Sequence, residues 1–340
     1  MTQPLPLTPQ FPTTARALWY VERGLVSLHE ERLPDQISSD DVLLTTLFSA
    51  VSRGTERLVF LGAIPDSEQK RMRAPMQSGE FPFPVKYGYC TVARVDMGPP
   101  DIVGHVAFCL HPHQDRFVAP QSFIQLIPKD IPPRRAVLAA NMETALNAHW
   151  DAGTKPGDRV IVIGGGIVGL LTAYLAARIA GCDVTLVDIA QSRQALAERL
   201  GFAFARPDAI PEDADVVFHT SASGAGLQSA IEAAGMEGTV CEMSWYGAKE
   251  VGLGLGGAFH SRRIRLISSQ VGHVAGVNRP RWSFERRLAK AISLLDSPAL
   301  DELVTNEVPF DEAPDRMADI FSDDASGLPP VFRYAAADEL

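Results

Sequence analysis

The sequence predicts an α/β chain in two parts, a β-rich part and a doubly wound part with a parallel sheet. Three observations predict it. Up to about residue 130, short alternating apolar and polar runs are broken by Pro and Gly. From Pro133 onward, β-like and helical runs alternate. Between the first strand and first helix of that second region lies the glycine-rich string "GGGIVG", Gly164 to Gly169.

The elements follow in order. "RALWYVERGLVSLHEERLP" alternates around a Gly, as a hairpin does. "DVLLTTLFSAVSRGTE" reads as a long strand running into a loop, and "GYCTVARVDMG", "HVAFCLHPHQDRFVAP" and "SFIQLIPKDIPP" as further strands. Many short strands of this kind suggest a barrel or rolled sheet. "PRRAVLAANMETALNAHWDAG" opens with Pro and stops at Gly153, which predicts one bridging helix. Then "RVIVI" and "DVTLVD" flank a helix, "SRQALAERLG" is helical, and "ADVVFHTSA", "GTVCEMSW" and "RIRLISSQ" are strands. From about residue 273 the rhythm breaks into two amphipathic helices, "RWSFERRLAKAISLLDS" and "DEAPDRMADIFSD", and a last short strand, "PPVFRY". The reading assigns 1–145 with 273–340 to the β-rich domain and 146–272 to the parallel-sheet domain. The tail "AAADEL" is expected to fray.

Composition excludes several classes. At 340 residues, 46% hydrophobic and 21% charged, the chain has material for a core in each of two domains. A net charge of −10 argues against nucleic acid or an anionic membrane as the main partner. No apolar run is long enough to predict a membrane span. The first residues, "MTQPLPLTPQFPTTARALW", contain no apolar core of a secretory signal. The four cysteines, Cys90, Cys109, Cys182 and Cys241, make no CxxC pair, which fits a reducing, cytoplasmic compartment.

Gly164, Gly166 and Gly169 match G-x-G-x-x-G. The first glycine permits the tight turn. The second lets a pyrophosphate approach the backbone, and the third lets the helix pack on the sheet. The helix start, with Ile167 and Val168, then offers free N–H groups and the positive end of its dipole to phosphate. Asp188 ends the second strand 19 residues past Gly169, the spacing of an acid that bonds ribose hydroxyls. A carboxylate there repels a 2′-phosphate and favours NAD over NADP. Arg193 lies five residues on. It reads as a solvated helix residue, with pairing to a phosphate as the alternative. Ser221 ends the fourth strand and Ser244 the fifth, at the carboxyl edge where doubly wound sheets bind ligands.

The β-rich part, the bridging helix and "PGDRVIVIGGGIVG" together resemble the medium-chain dehydrogenase/reductase superfamily. "SRGTE" (Ser52 to Glu56), "FPFPVKYGY" and "LHPHQDRFVAP" are similar to its branch containing bacteriochlorophyllide dehydrogenase. The resemblance implies a GroES-like catalytic domain, a Rossmann domain and an active site in the cleft between them. It implies that Arg53 reaches the pyrophosphate and that Thr144 lies beside the nicotinamide. Its zinc-dependent members hold the metal at positions that fall here on Ser52, Tyr89 and Ala140. None of these is a usual zinc ligand, so no zinc is expected. Glu56, Cys90, His111, His113 and Glu143 leave a rearranged ligand set open.

Without a metal, the reacting oxygen needs a proton or hydrogen-bond donor. Thr55, Tyr89, His113 and Glu143 are the candidates. Each has a structural alternative: a loop bond for Thr55, a cleft wall for Tyr89, an exposed ring for His113 and a helix cap for Glu143. The leading expectation is a zinc-independent, NAD(P)-dependent oxidoreductase acting on a small-molecule secondary alcohol or ketone, with a homo-oligomer admitted. The alternatives are an enoyl or quinone reductase and a non-catalytic nucleotide-binding protein on the same scaffold.

Overall fold

The structure, a computed structural model, describes residues 5–6 and 13–339. Most of the N-terminal stretch read for a signal therefore lies outside the described residues. The chain divides into two compact units, Met1–Ala140 with Val304–Leu340, and Asn141–Leu303.

The first unit is the β-rich one. Its hairpin pairs Thr14–Glu22 with Leu25–Arg32, and Gly24 turns the corner at φ +79. A left-handed φ costs glycine nothing, because it has no Cβ to clash. The hairpin belongs to a four-stranded sheet with Val85–Lys86 and Ser78–Gly79. The long strand Asp41–Ala50 organises a second, seven-stranded sheet. One of its edges pairs with Thr91–Met97, while Arg116–Pro120 and Val331–Arg333 share the other. Val42, Leu44, Ala93, Val95 and Phe117 form a core of this unit. "SRGTE" does not form a loop. It enters the helix Arg53–Phe60.

The second unit is doubly wound. Six parallel strands lie in the spatial order Ala203–Ala205, Asp183–Val187, Arg159–Ile163, Ala214–His219, Ala234–Glu242, Arg265–Ser268. Ile161, Ile163 and Val217 pack with Leu227 and Ile231 of the helix Gly224–Ala233. Strands buried on both faces read as near-continuous apolar runs, which is why "RVIVI" and "DVVF" were legible.

Three details depart from the sequence reading. The bridging helix is broken into Pro133–Ala136 and Ala139–Ala152, with Gly153 at φ +70 ending the latter. The tail does not fray over its described residues: Ala335–Glu339 is a 3-10 turn, held by Arg333 to Asp338 and by Arg94 to Glu339. Residues 273–303 belong to the second unit, whereas the sequence reading grouped them with the β-rich part. The anchor is Arg287 on the helix Phe284–Ser293, which is 1% exposed. It donates to Glu143, to Asn147 and to the carbonyls of Val271 and His273. A guanidinium has five donors and tolerates burial only when they are satisfied. Among the described residues, no helix is long and apolar enough to cross a membrane.

Candidate functional site

In the second unit the glycine turn has the geometry its sequence implies. Gly164 sits at φ +114, and a Cβ there would lie 2.7 Å from Thr220 Oγ1. A Cβ on Gly169 would fall 1.9 Å from the Gly164 carbonyl oxygen, so only glycine closes this turn. Gly166 differs: it is exposed, with nothing within 4 Å of where its Cβ would be. It is the N-cap of the helix Ile167–Ala176, and no side chain caps that end. Ile167 and Val168 form the first turn, partly exposed. A bare helix N-terminus beside open space has the chemistry of an anion cradle.

Asp188 folds back onto this turn. Its Oδ2 accepts the Gly165 N–H at 2.5 Å and its Oδ1 accepts the Ala190 N–H at 2.7 Å. It is thus bonded both to the turn that follows it and to the glycine loop. A carboxylate has about four acceptor sites, so capacity remains for a ligand hydroxyl. Arg193 is not the solvated residue expected. Its Cγ would lie 3.0 Å from a Cβ on Gly165, where Asp188 also contacts, and its Nε is buried without a hydrogen-bond partner. Ser221 and Ser244 do not end their strands but lie two residues past them, after His219 and Glu242. Ser221 is exposed, and Ser244 Oγ accepts the Ala222 N–H at 3.0 Å. Thr144 is partly exposed on the helix Ala139–Ala152.

Glu143 departs from the catalytic expectation. It is 5% exposed, and its Oε1 accepts Arg287 Nε at 2.9 Å. Burial raises its pKa, and the charge and hydrogen bond of Arg287 only soften that. Its carboxylate is committed to holding Arg287 in place.

In the first unit, Tyr89 is partly exposed and donates to Ser52 Oγ at 2.5 Å, with Thr55 as a second hydrogen-bond partner. Burial, then the Cys90 neighbour, pushes the phenol well above its ordinary pKa, while Ser52 and Thr55 pull the other way. It stays protonated at neutral pH and can donate. Gly88 sets its direction: at φ +128, a Cβ there would meet the His113 ring and backbone at 3.0–3.2 Å.

His113 is neither exposed nor beside open space. It is fully buried, with Nε2 2.9 Å from Glu56 Oε2 and Nδ1 2.7 Å from Ser49 Oγ. Glu56, also fully buried, accepts the Tyr20 hydroxyl at 2.8 Å and the Ser52 N–H at 2.6 Å. This hub was missed as a hub in the sequence. The signal available was a Glu four residues past Ser52, within reach of that backbone N–H. Arg53 donates from Nη1 to the Gly327 carbonyl at 3.0 Å, which ties it to a loop of its own unit.

The rearranged metal set does not assemble. His111 stacks on Phe117 at 3.8 Å, and burial takes its pKa down to about 3. The Cys90 thiol is pushed up by burial and by Glu56, and so stays protonated. Glu56 and His113 bond each other, and Glu143 holds Arg287. Among the described residues no group of three or more His, Cys, Asp or Glu side chains is gathered to hold a metal ion. Ser52, Tyr89 and Ala140 offer a hydroxyl, a high-pKa phenol and a methyl. That donor set does not suit zinc, which takes thiolate, imidazole or carboxylate.

No protein-family model matches the chain. It is 28% identical over 123 residues to an uncharacterised zinc-type alcohol dehydrogenase-like protein of Escherichia coli K12, covering 33% of this chain and 35% of that one. It is 26% identical over 196 residues to the D-guloside 3-dehydrogenase of the same organism, covering 54% and 56%. The chain thus spans between about a third and just over half the length of these curated relatives. Among solved structures, a dehydrogenase of Sinorhizobium meliloti 1021 described as zinc-binding and bound to NADP superposes with a TM-score of 0.75. It is 19% identical and is matched over 95% of this chain and 100% of that one. An Escherichia coli CFT073 alcohol dehydrogenase complexed with NADH also gives 0.75, at 14% identity over 95% and 100%. These likenesses carry the fold across nearly the whole chain, and over part of its length the chain is similar in sequence to a zinc-type alcohol dehydrogenase-like protein and to a D-guloside 3-dehydrogenase.

Proposed function

We propose that this protein is a nicotinamide-dinucleotide-dependent oxidoreductase that interconverts a secondary alcohol and its ketone without catalytic zinc. The observation that carries the reading is the glycine turn. It combines open space over Gly166, an uncapped helix start at Ile167 and a carboxylate, Asp188, bonded to the loop itself. The uncapped N–H groups would bind pyrophosphate. Asp188 would accept from a ribose hydroxyl, favouring NAD over NADP. Arg193, with a buried Nε lacking a partner beside that carboxylate, tempers the preference. When bound, the nicotinamide supplies hydride chemistry.

The chain's part in the reaction is binding and proton handling. Tyr89 is a protonated phenol held by Ser52 and Thr55, and its one O–H would turn from Ser52 Oγ to donate to an oxygen gaining charge. Glu56 and His113 support this from behind, through the Ser52 N–H and the packing on Gly88. The D-guloside 3-dehydrogenase relative supports a hydroxyl-rich substrate.

The donor set at Ser52, Tyr89 and Ala140 also favours a second reading, an enoyl or quinone reductase, in which hydride goes to an activated carbon. The test is turnover of NADH and NADPH against ketones, polyols, enones and quinones, with metal analysis and chelation alongside. Ketone or polyol turnover that survives chelation supports the proposal. Stoichiometric zinc whose removal abolishes turnover sinks the zinc-independent part. Turnover confined to enones or quinones selects the second reading.

A further inference from the structure

His219 ends the strand Ala214–His219, and its partner in register is Glu242, the last residue of the neighbouring strand. The imidazole is fully buried. Nδ1 lies 2.7 Å from Glu242 Oε2, and Nε2 lies 2.7 Å from Ser221 Oγ. Glu242 also accepts the Tyr246 hydroxyl at 2.9 Å and the Ser244 N–H at 2.6 Å. Burial alone would raise this carboxyl's pKa, but the hydrogen bonds it accepts from His219 and Ser244 outweigh it and hold the group below its ordinary value.

A carboxylate only accepts, so the shared proton sits on Nδ1. In the neutral ring Nε2 is then a lone pair, and the network assigns the Ser221 hydroxyl as its donor. Ser221 is an exposed residue, and its Oγ keeps lone pairs that its bond to His219 does not use. Glu242 thus sets the polarity of an atom two side chains away.

Ser221 also abuts the glycine turn. A Cβ on Gly164 would lie 2.9 Å from Ser221 N, and Thr220 Oγ1 donates to the Gly164 carbonyl at 2.9 Å. Gly226 leaves room for the arrangement: a Cβ there would meet Ser221 Oγ at 2.6 Å and His219 Nε2 at 2.9 Å. Ala222 turns the chain at φ +51, a conformation that costs a residue with a Cβ.

We infer that Ser221 reads a ribose hydroxyl of the dinucleotide seated on the glycine turn, accepting its hydrogen bond, and that His219 and Glu242 are positioning residues that hold Ser221 in the acceptor sense. This rests on the dinucleotide reading above. A phosphate or carbonyl oxygen at the same place would meet lone pairs, so the position selects a donor.

The test measures binding of NADH to the whole protein by calorimetry, against NADH analogues in which one ribose hydroxyl at a time is replaced by hydrogen. The wild type should bind one analogue roughly two- to tenfold more weakly, the worth of one ordinary hydrogen bond. In Ser221→Ala, NADH should weaken by the same factor and that analogue should show no further loss. Glu242→Gln fills the same space, but its amide can donate to Nδ1. The ring proton then moves to Nε2 and Ser221 turns its O–H outward, so this variant should behave like Ser221→Ala. The inference is overturned if Ser221→Ala keeps full affinity or still discriminates that analogue. It is also overturned if Glu242→Gln, with a native circular dichroism spectrum, keeps wild-type discrimination. Should Glu242→Gln not fold, the Ser221→Ala comparison decides. A wild type that binds NADH but treats all analogues alike ends this inference only. One that binds neither NADH nor NADPH ends the dinucleotide reading and this inference with it.

Discussion

In the first unit His113 Nε2 lies 2.9 Å from Glu56, and in the second His219 Nδ1 lies 2.7 Å from Glu242. The residue types match but the surroundings do not. Around Glu56 every partner is internal: Tyr20, the Ser52 N–H and His113, whose other nitrogen meets Ser49 and through it Tyr334. His113 and Glu56 have side chains 0% exposed. Around Glu242 the chain of bonds ends on exposed Ser221, and the carboxylate itself is 14% exposed. The first pair is closed and the second opens outward. A closed network can contribute to stability and rigidity, whereas an open one can also present a polarised atom to a ligand. The difference teaches that a buried His–Glu pair is not by itself a catalytic signature. What its far nitrogen touches decides.

The largest expected effect breaks the closed pair. Glu56→Ala strands the Tyr20 hydroxyl, the Ser52 N–H and the His113 ring away from water. It should cost about 3–5 kcal/mol in urea unfolding. Glu242→Ala, nearer solvent, should cost about 1–3 kcal/mol because water can replace part of the lost bonding. Equal losses would erase the distinction between closed and open.

Next is Tyr89→Phe, which keeps the ring and removes the donor. If the phenol stabilises the reacting oxygen, kcat should fall roughly a hundredfold, or about 3 kcal/mol, with nucleotide affinity unchanged. An unchanged kcat would make Tyr89 a cleft wall and leave Thr55 as the remaining donor beside Ser52.

Acid sharpens the comparison through two other buried rings, one in each unit. Burial lowers His111 to about 3 and His149 to about 4. Below the ordinary value near 6.5 the unfolded chain takes up a proton that the folded ring refuses. Each ring's contribution is therefore complete above about pH 6.5 and is lost as pH falls toward its folded value. The slope is about 1.4 kcal/mol per pH unit per ring. Urea unfolding at pH 6.5 and 5.5 should show it, and His111→Gln should remove one ring's share.

The smallest effect concerns cofactor choice. Asp188→Ala should narrow the preference for NAD(H) over NADP(H) by about tenfold, or about 1.4 kcal/mol, with Arg193 then free to favour phosphate. Equal affinity for both in the unmutated protein would remove Asp188 from the selectivity argument.

Much of this protein was determined by its sequence alone. The parallel sheet was legible because strands buried on both faces carry continuous apolar runs, and the glycine turn because its three glycines answer local demands of backbone and packing. Asp188 follows from the same local unit, a strand and its turn. Tertiary structure alone decided the rest. Glu56 and His113 stand 57 residues apart, and His219 and Glu242 stand 23 apart. No local period records that packing of a helix on a loop brings the first pair together and sheet register the second. Glu143 was read as a proton donor because nothing nearby in sequence announces Arg287, which reaches it from 144 residues away. Arg193 was read as solvated because helical spacing does not say that its stem lies on Gly165. Backbone conformation follows short-range sterics and is written in neighbouring residues, while a side chain's charge state and partners follow through-space contacts that only the folded chain creates.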